Sequence, residues 1–151
     1  MSDQKIYSVS VAIFRSEPQD YKKKRHVGLY FQPRDAYGSE YFIDVVGSTK
    51  AFAFHVRENY RPEGSARWAT TVPVADLKKL LTPTLLIDLM RAVPINNDDP
   101  EFSCQNWVGF ALKDLSAHGY ISQEDYRNGF DKMVDATMEA EDDDWKAFVQ
   151  R

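Results

Sequence analysis

The single cysteine of the 151-residue chain, Cys104, lies in the segment EFSCQNWVGFALKDL at residues 101–115. Ser103 is a good helix N-cap and the following apolar residues recur at helical spacing, so we predict a helix from Cys104 to about Ala117, closed by Gly119. In that position the sulfur faces unpaired backbone N–H groups and the positive end of the helix dipole, which favour a thiolate. Free cysteine is also often a small buried hydrophobic residue, so the position fits either a nucleophile or a structural thiol.

A nucleophilic cysteine needs a base, usually a histidine, and a third polar group that orients the base. If the strands on either side of QPRDAYGS form a hairpin symmetric about Asp35, the numbers of paired residues sum to 70 and His26 faces Asp44 (26 + 44 = 70). Facing side chains lie about 5 Å apart at Cβ, within reach of an imidazole–carboxylate hydrogen bond. The pattern fits a Cys104–His26–Asp44 triad, and it also fits an Asp44 that points to solvent on an alternating strand.

The other two histidines are predicted to have different roles. His55 is a rival base, but on its strand it points to the face opposite Phe54, which indicates a packing or surface position. His118 comes at the end of the predicted Cys104 helix, about 20 Å from the thiol at a rise of about 1.5 Å per residue, and is predicted to cap it. With one cysteine and no metal-ligand spacing among the histidines, we expect no metal site and no cofactor.

The elements that must position these residues are strands first and helices second. Five segments of the first half alternate apolar and polar residues or are rich in aromatic and β-branched residues, which is typical of strands. They are residues 5–14, 26–31, 40–46, 50–58 and 66–74. The second half is predicted to be helical: a helix over 74–81 capped by Asp76, one opened by Pro83, the Cys104 helix, and one over 122–149 with Ser122 and Asp125 in capping-box spacing. We expect an α+β fold, an antiparallel meander followed by helices.

Composition limits the functional classes. The chain is 43% apolar with a net charge of −4, which suits one soluble domain over residues 1–151 and gives no broad support for binding nucleic acid. The basic run KKKR at 22–25 is predicted to be a solvated loop, and the acidic residues at 139–144 an exposed face or a helix break. No apolar run approaches the roughly 20 residues of a membrane span, and no signal sequence is visible, so we expect a cytoplasmic protein without an integral membrane segment.

The segments HVGLYF, YFID and SCQNWV, in this order, resemble the motifs of the permuted papain-like thiol enzymes of the NlpC-type superfamily. This group includes the lecithin:retinol acyltransferase-like proteins and the desumoylating isopeptidases. In it a histidine opens a strand, a polar residue follows on the next strand, and a cysteine begins a helix. The resemblance covers about a fifth of the chain. It departs from the family at Ser103, where asparagine is usual, at Val27, where tryptophan is usual, and in lacking an apolar membrane-anchoring tail.

The resemblance implies a permuted papain-like fold, with Cys104 as nucleophile, His26 as base and Asp44 as the third polar residue. The expected function is cysteine-dependent acyl transfer through an acyl-cysteine, as a hydrolase, acyltransferase or cyclase acting on a small-molecule or carrier-bound thioester, ester or amide. Gln105, next to the cysteine, could supply a donor, and Trp107 and Tyr41 are predicted to contact the substrate.

Two alternatives stay open at this point. One is an isopeptidase or deubiquitinase-like cysteine protease on the same fold, which would need a groove for an extended peptide tail. The other is a soluble binding module without catalytic activity, in which Cys104 is a buried structural residue. The sequence does not specify the oligomeric state.

Overall fold

The computed structural model describes residues 3–15, 25–35 and 37–139. Five strands form one antiparallel sheet: β1 (Tyr7–Phe14), β2 (His26–Pro33), β3 (Tyr41–Val46), β4 (Ala53–Glu58) and β5 (Trp68–Asp76). Three helices follow among the described residues: α1 (Pro83–Arg91), α2 (Cys104–Ala117) and α3 (Gln123–Glu139). The acidic residues at 139–144, predicted to be an exposed face or a helix break, lie outside the described side chains.

The α+β class and all five predicted strands are confirmed, and the meander holds for the first four. The sheet order is β4-β3-β2-β1-β5, so the fifth strand leaves the β4 edge and pairs antiparallel with β1. A short 3₁₀ turn at Pro62–Gly64 lies in the connection that carries the chain across. Strand β1 is thereby central, with a partner on each side.

The predicted helix over 74–81 is wrong. Strand β5 continues to Asp76, and the chain then stays extended enough for Leu81 to form an isolated antiparallel bridge with Lys5. The backbone N–H of Leu77 donates to the Tyr7 carbonyl at 2.8 Å, and the N–H of Leu81 donates to Lys5 at 2.9 Å. These partners lie on the N-terminal strand, so the backbone groups that a helix would pair internally are satisfied across the sheet edge.

The helix boundaries agree more closely with the sequence. Thr82 caps α1, with Pro83 at its first position, and the side chain of Thr82 accepts from the Leu85 N–H at 3.1 Å. The capping box at the start of α3 is present, because the Asp125 N–H donates to Ser122 Oγ at 2.9 Å and the Ser122 N–H to Asp125 Oδ2 at 3.4 Å. Both helices begin where the sequence places their caps.

The two faces of the sheet are covered differently. Odd-numbered residues of the first three strands point into the main core, where they pack with the helices. Even-numbered residues point to the other face and form a small second cluster of Ala12, Phe14, Tyr30 and Phe42, with Tyr60 and Trp68 packed against it. The second face has no helix over it among the described residues, which leaves room for a cleft.

Candidate functional site

Helix α2 begins at Cys104, as predicted, with Ser103 as its N-cap. The cap is tied down by Asn106, whose Oδ1 accepts from the Ser103 N–H at 2.9 Å and lies 3.0 Å from Ser103 Oγ. The first-turn N–H groups of Cys104 and Gln105 have no intrahelical acceptor, as in any α-helix, so they are free donors at the tip. At the other end His118 caps the helix through Nδ1 and the Asp114 carbonyl at 2.8 Å, and Gly119 follows with φ +78°, both as predicted.

The predicted register between β2 and β3 is wrong by two residues. The observed pairs, Leu29 with Ile43 and Tyr30 with Phe42, have numbers that sum to 72 where the symmetric hairpin predicts 70. His26 therefore does not lie directly opposite Asp44. Because the side-chain period of a strand is 2, an error of two residues leaves every side chain on its predicted face. His26 and Asp44 are diagonal neighbours on one face, and the predicted contact survives.

Gly28 makes that diagonal contact possible. Continuing the observed register places Gly28 opposite Asp44, between His26 and Tyr30 on the same face. A Cβ built on Gly28 would lie 2.4 Å from the Phe42 ring and 2.9 Å from Asp44 Cβ. Real Cβ atoms do not approach so closely, so the missing side chain is what lets Phe42 and Asp44 close over this position.

His26 is held between the carboxylate and the thiol. Its Nε2 lies 2.6 Å from Oδ2 of Asp44, whose side chain is 1% exposed. Burial alone lowers the pKa of His26, but hydrogen bonds to Asp44 and to Cys104, together with the charges of both, raise it to about 9. A pKa of about 9 favours the imidazolium form of His26 at neutral pH. The structure brings His26 and Asp44 into hydrogen-bond contact and places the Cys104 thiol against the carbonyl of the residue before His26.

A second histidine adjoins the same carboxylate, which the sequence did not predict. His55 is the direct cross-strand partner of Asp44 on β4, and its Nδ1 lies 3.4 Å from Asp44 Oδ1. Both atoms are buried and neither has a hydrogen-bond partner of good geometry among the described residues. A small ring rotation would join them, so Asp44 is positioned to accept from two imidazoles, one through each oxygen.

The thiol of Cys104 is largely enclosed. The residue is 8% exposed, and its Sγ lies 3.7 Å from the carbonyl oxygen of Arg25, the residue before His26. Gln105 donates to the same carbonyl from Nε2 at 3.4 Å, so its side chain is turned toward the start of β2. Arg25 itself is 1% exposed and donates to the Thr137 carbonyl, which corrects the prediction that the whole 22–25 run is solvated.

Trp107 and Tyr41, predicted to contact substrate, lie in the main core. Trp107 is 0% exposed and packs against Phe54 with ring centroids 6.2 Å apart. Tyr41 is 5% exposed, pairs with Phe31 on β2, and packs edge-on against Tyr7. Their aromatic character serves packing at these positions, and neither lines the cleft beside His26.

That cleft lies on the helix-free face of the sheet and has a volume of about 400 Å³. Its lining residues come from four strands and the two loops after β3 and β4. They are Phe14, His26, Phe42, Asp44, Val45, Val46, Gly47, Phe52, Arg57, Tyr60 and Ser65. Cys104 is not among them and lies on the far side of His26, where α2 meets the start of β2. Strand alternation could have placed Arg57 at this site, because it follows His55 by two residues and so shares its face.

Within the described ranges, no helix is long and apolar enough to cross a membrane, and no group of three or more histidine, cysteine or acidic side chains could hold a metal ion. In comparisons with known proteins, residues 11–122 match the model of a family of unknown function, DUF6540. The match includes every strand of the sheet in part or whole and all of α1 and α2. No curated protein and no solved structure matches significantly.

Proposed function

The chain belongs to the DUF6540 family, whose function is unknown, and we propose its function from the geometry of its own residues: cysteine-dependent acyl transfer through an acyl-cysteine. The substrate would be a thioester, ester or amide. The observation that carries this proposal is the position of His26, whose Nε2 lies 2.6 Å from the buried carboxylate of Asp44 and which directly follows Arg25, whose carbonyl oxygen lies 3.7 Å from the only thiol of the chain. A nucleophile, a base beside it and a group that orients the base are the three parts of a thiol-enzyme active site.

In the proposed mechanism His26 holds the proton of the thiol as an imidazolium, and the Cys104 thiolate attacks the substrate carbonyl carbon. The resulting tetrahedral oxyanion collapses with cleavage of the bond to the leaving group, which takes the proton from His26 Nδ1. Water or an amine then attacks the acyl-cysteine and returns a proton to His26, which releases the acyl product and restores the thiolate–imidazolium pair. Asp44 stays ionised and keeps Nε2 of the ring protonated throughout.

The tip of α2 supplies the oxyanion donors in this proposal. The N–H groups of Cys104 and Gln105 point out of the first helical turn, and the helix dipole adds a fixed positive potential there. Such preorganised donors stabilise a developing oxyanion without reorganisation. The Gln105 side chain is bonded to the Arg25 carbonyl, so the backbone N–H groups are the better placed donors.

We extend the proposal to the fold. We infer a permuted papain-like fold, in which a histidine opens a strand, a polar residue follows on the next strand and a cysteine begins a later helix. In this chain, α2 packs against β2 and β3. The support is the order and spatial convergence of these three elements.

The direct test is acylation. The protein is incubated with S-phenyl thiobenzoate at pH 7.5, and intact mass spectrometry with peptide mapping follows adduct formation. We expect one benzoyl group on Cys104, none on a Cys104→Ala variant, and at least about 100-fold slower acylation of a His26→Ala variant, as is usual for loss of a general acid or base. Acylation of the wild type and His26→Ala at equal rates would overturn the mechanism.

A second candidate, a binding module with a structural thiol, is favoured by one observation: Cys104 is only 8% exposed and packs in the main core. Alkylation by iodoacetamide separates the two candidates, because a thiolate paired with an imidazolium reacts at neutral pH and a buried thiol is inert. The same reagent applied in denaturant gives the reference rate of the free thiol. Alkylation of the folded protein more slowly than that reference would favour the binding module.

A further inference from the structure

The cleft beside His26 has a continuous wall of rings that leads away from the histidine. The His26 and Phe14 ring centroids are 5.9 Å apart, Phe14 and Phe42 are 5.6 Å apart, and Phe42 and Tyr60 are 5.5 Å apart. The guanidinium of Arg57 then lies 4.9 Å from the centroid of Tyr60. All five residues line the cleft. The wall therefore connects the proposed catalytic histidine to a cation through three aromatic side chains.

The charge of Arg57 is uncompensated in the described part of the chain. Arg61, on the loop after β4, has an acidic partner, since its Nε lies 3.6 Å from Oε2 of Glu40. Arg57 forms no ion pair among the described residues, and its contact is with the Tyr60 ring. Stacking on a ring fixes the plane of a guanidinium and leaves its N–H edge free to bind an anion.

The other charges that line the cleft are balanced. Asp44 is paired with His26, which is protonated at neutral pH because its pKa is raised to about 9. Arg57 is thus the remaining net charge of the lining residues. A single planar guanidinium matches one carboxylate through two parallel hydrogen bonds and balances its single charge, whereas it would leave one charge of a phosphate dianion unbalanced.

We propose that the acyl group accepted by this site is elongated, with an apolar or aromatic segment that lies on the Phe14–Phe42–Tyr60 wall and a carboxylate that Arg57 binds. The inference rests on the proposed function for the identity of the reacting end, while the ring wall and the cation stand independently of it. A cleft of about 400 Å³ is in the size range of small-molecule sites. The site would bind neutral acyl groups less tightly, because they offer no anion to pair with Arg57.

Binding to the Cys104→Ala variant tests this inference without any chemistry at sulfur. The probes are the N-methylamides of 3-[4-(carboxymethyl)phenyl]propanoic acid and of 3-(4-isobutylphenyl)propanoic acid, which differ by a carboxylate in place of an isosteric isopropyl group, together with their one-carbon-longer homologues. Calorimetric titration gives Kd for each. Arg57 is exposed, so we expect at least one anionic probe to bind about fivefold more tightly than its neutral partner, the upper end of what a solvent-exposed ion pair contributes.

Two variants in the Cys104→Ala background assign that preference to a residue. Arg57→Gln should reduce the anionic-to-neutral ratio to within about twofold, and Arg57→Lys should keep part of it because the charge remains. Arg61→Gln is the matched control and should leave the ratio unchanged, since Arg61 lies four residues after Arg57 and already has Glu40 as its partner. Equal binding of both probes, no binding of either at 1 mM, or a ratio that survives Arg57→Gln would overturn the inference.

The two proposals fail separately. If Cys104 is not a nucleophile, thioester acylation is absent while the anionic preference of the Cys104→Ala protein persists. If Arg57 is not an anion anchor, the preference is absent while S-phenyl thiobenzoate, which has no anionic group, still acylates Cys104.

Discussion

The bond between His26 and Asp44 makes a quantitative prediction for the variant Asp44→Asn. In the wild type the pKa of His26 is raised from 6.5 to about 9. At about 1.4 kcal/mol per pH unit this corresponds to roughly 3 kcal/mol in favour of the imidazolium. The His26 side chain is 33% exposed, so we reduce the figure to about 2 kcal/mol for solvent screening. Asparagine has nearly the same shape but no charge, and burial then acts to lower the pKa.

The assay is a ¹H–¹³C NMR titration of the imidazole C–H resonances from pH 5 to pH 10. The chain has 3 histidines, so every signal can be assigned by single substitutions. We expect the pKa of His26 in Asp44→Asn to fall from about 9 toward 6.5, with burial still lowering it and Cys104 still raising it. His118 is the internal control, because it caps the opposite end of α2 and its resonances should be the same in both proteins. A His26 that still titrates near pH 9 in the variant would refute the assignment of Asp44 as the cause.

The same shift predicts how stability depends on pH. A pKa raised in the folded state means that folding strengthens proton binding, so the contribution is complete below pH 6.5 and is lost as the pH rises to about 9. Urea unfolding of the wild type should therefore show a loss of about 2 kcal/mol from this pair between pH 6.5 and pH 9. Asp44→Asn should lose markedly less over the same window. Parallel pH dependences in the two proteins would contradict the linkage.

Two further substitutions test how the carboxylate is positioned. Gly28→Ala should cost about 1–3 kcal/mol in urea unfolding, since its Cβ would meet the Phe42 ring at 2.4 Å, whereas the control Gly64→Ala, with no atom within 4 Å of the added Cβ, should change little; equal effects would contradict the close-approach argument. His55→Leu should cost about 1–2 kcal/mol because buried Oδ1 of Asp44 loses the imidazole nitrogen 3.4 Å away, and His55→Asn, whose amide nitrogen can occupy the place of Nδ1, should recover most of it; an Asn variant as unstable as the Leu variant would exclude a bond from His55.

The sequence predicted faces and element types better than register. Strand alternation specifies which residues share a face, and it is enough to place His26 and Asp44 on the same face of the sheet. Register depends on the turn, and the turn after β2 is irregular: the Asp35 carboxylate accepts from the Tyr37 N–H at 3.0 Å and from Lys5 Nζ at 3.0 Å, and Gly38 has φ +109°. The loop is therefore not symmetric about Asp35. The predicted register is wrong by an even number of residues, two, so His26 and Asp44 stay on the same face.

The residues predicted to contact substrate lie away from the cleft for a related reason. Trp107 lies three positions after Cys104, shares its core-facing side of α2 and is drawn into the hydrophobic core. Aromatic residues near a nucleophile in sequence thus fill the helix layer, on the opposite side of the sheet from the cleft. The cleft rings, Phe14, Phe42 and Tyr60, come from β1, β3 and the loop after β4, and only the tertiary fold brings them together.

This division between the faces of the sheet bears on how a substrate would reach the thiol. The sulfur lies on the helix side, at the tip of α2, and the cleft lies on the other side, so His26 at the first position of β2 is the residue common to both. A third of its side chain is exposed, and its ring centroid lies 5.9 Å from that of Phe14 at the end of the ring wall. An acyl chain laid along the wall would therefore present its carbonyl past the end of the sheet, where His26, the free N–H groups of the helix tip and the sulfur meet. If this path is correct, enlarging Phe14 to Trp should slow acylation of Cys104 by long aromatic thioesters more than by S-phenyl thioacetate, whereas equal slowing of both would place the entry elsewhere.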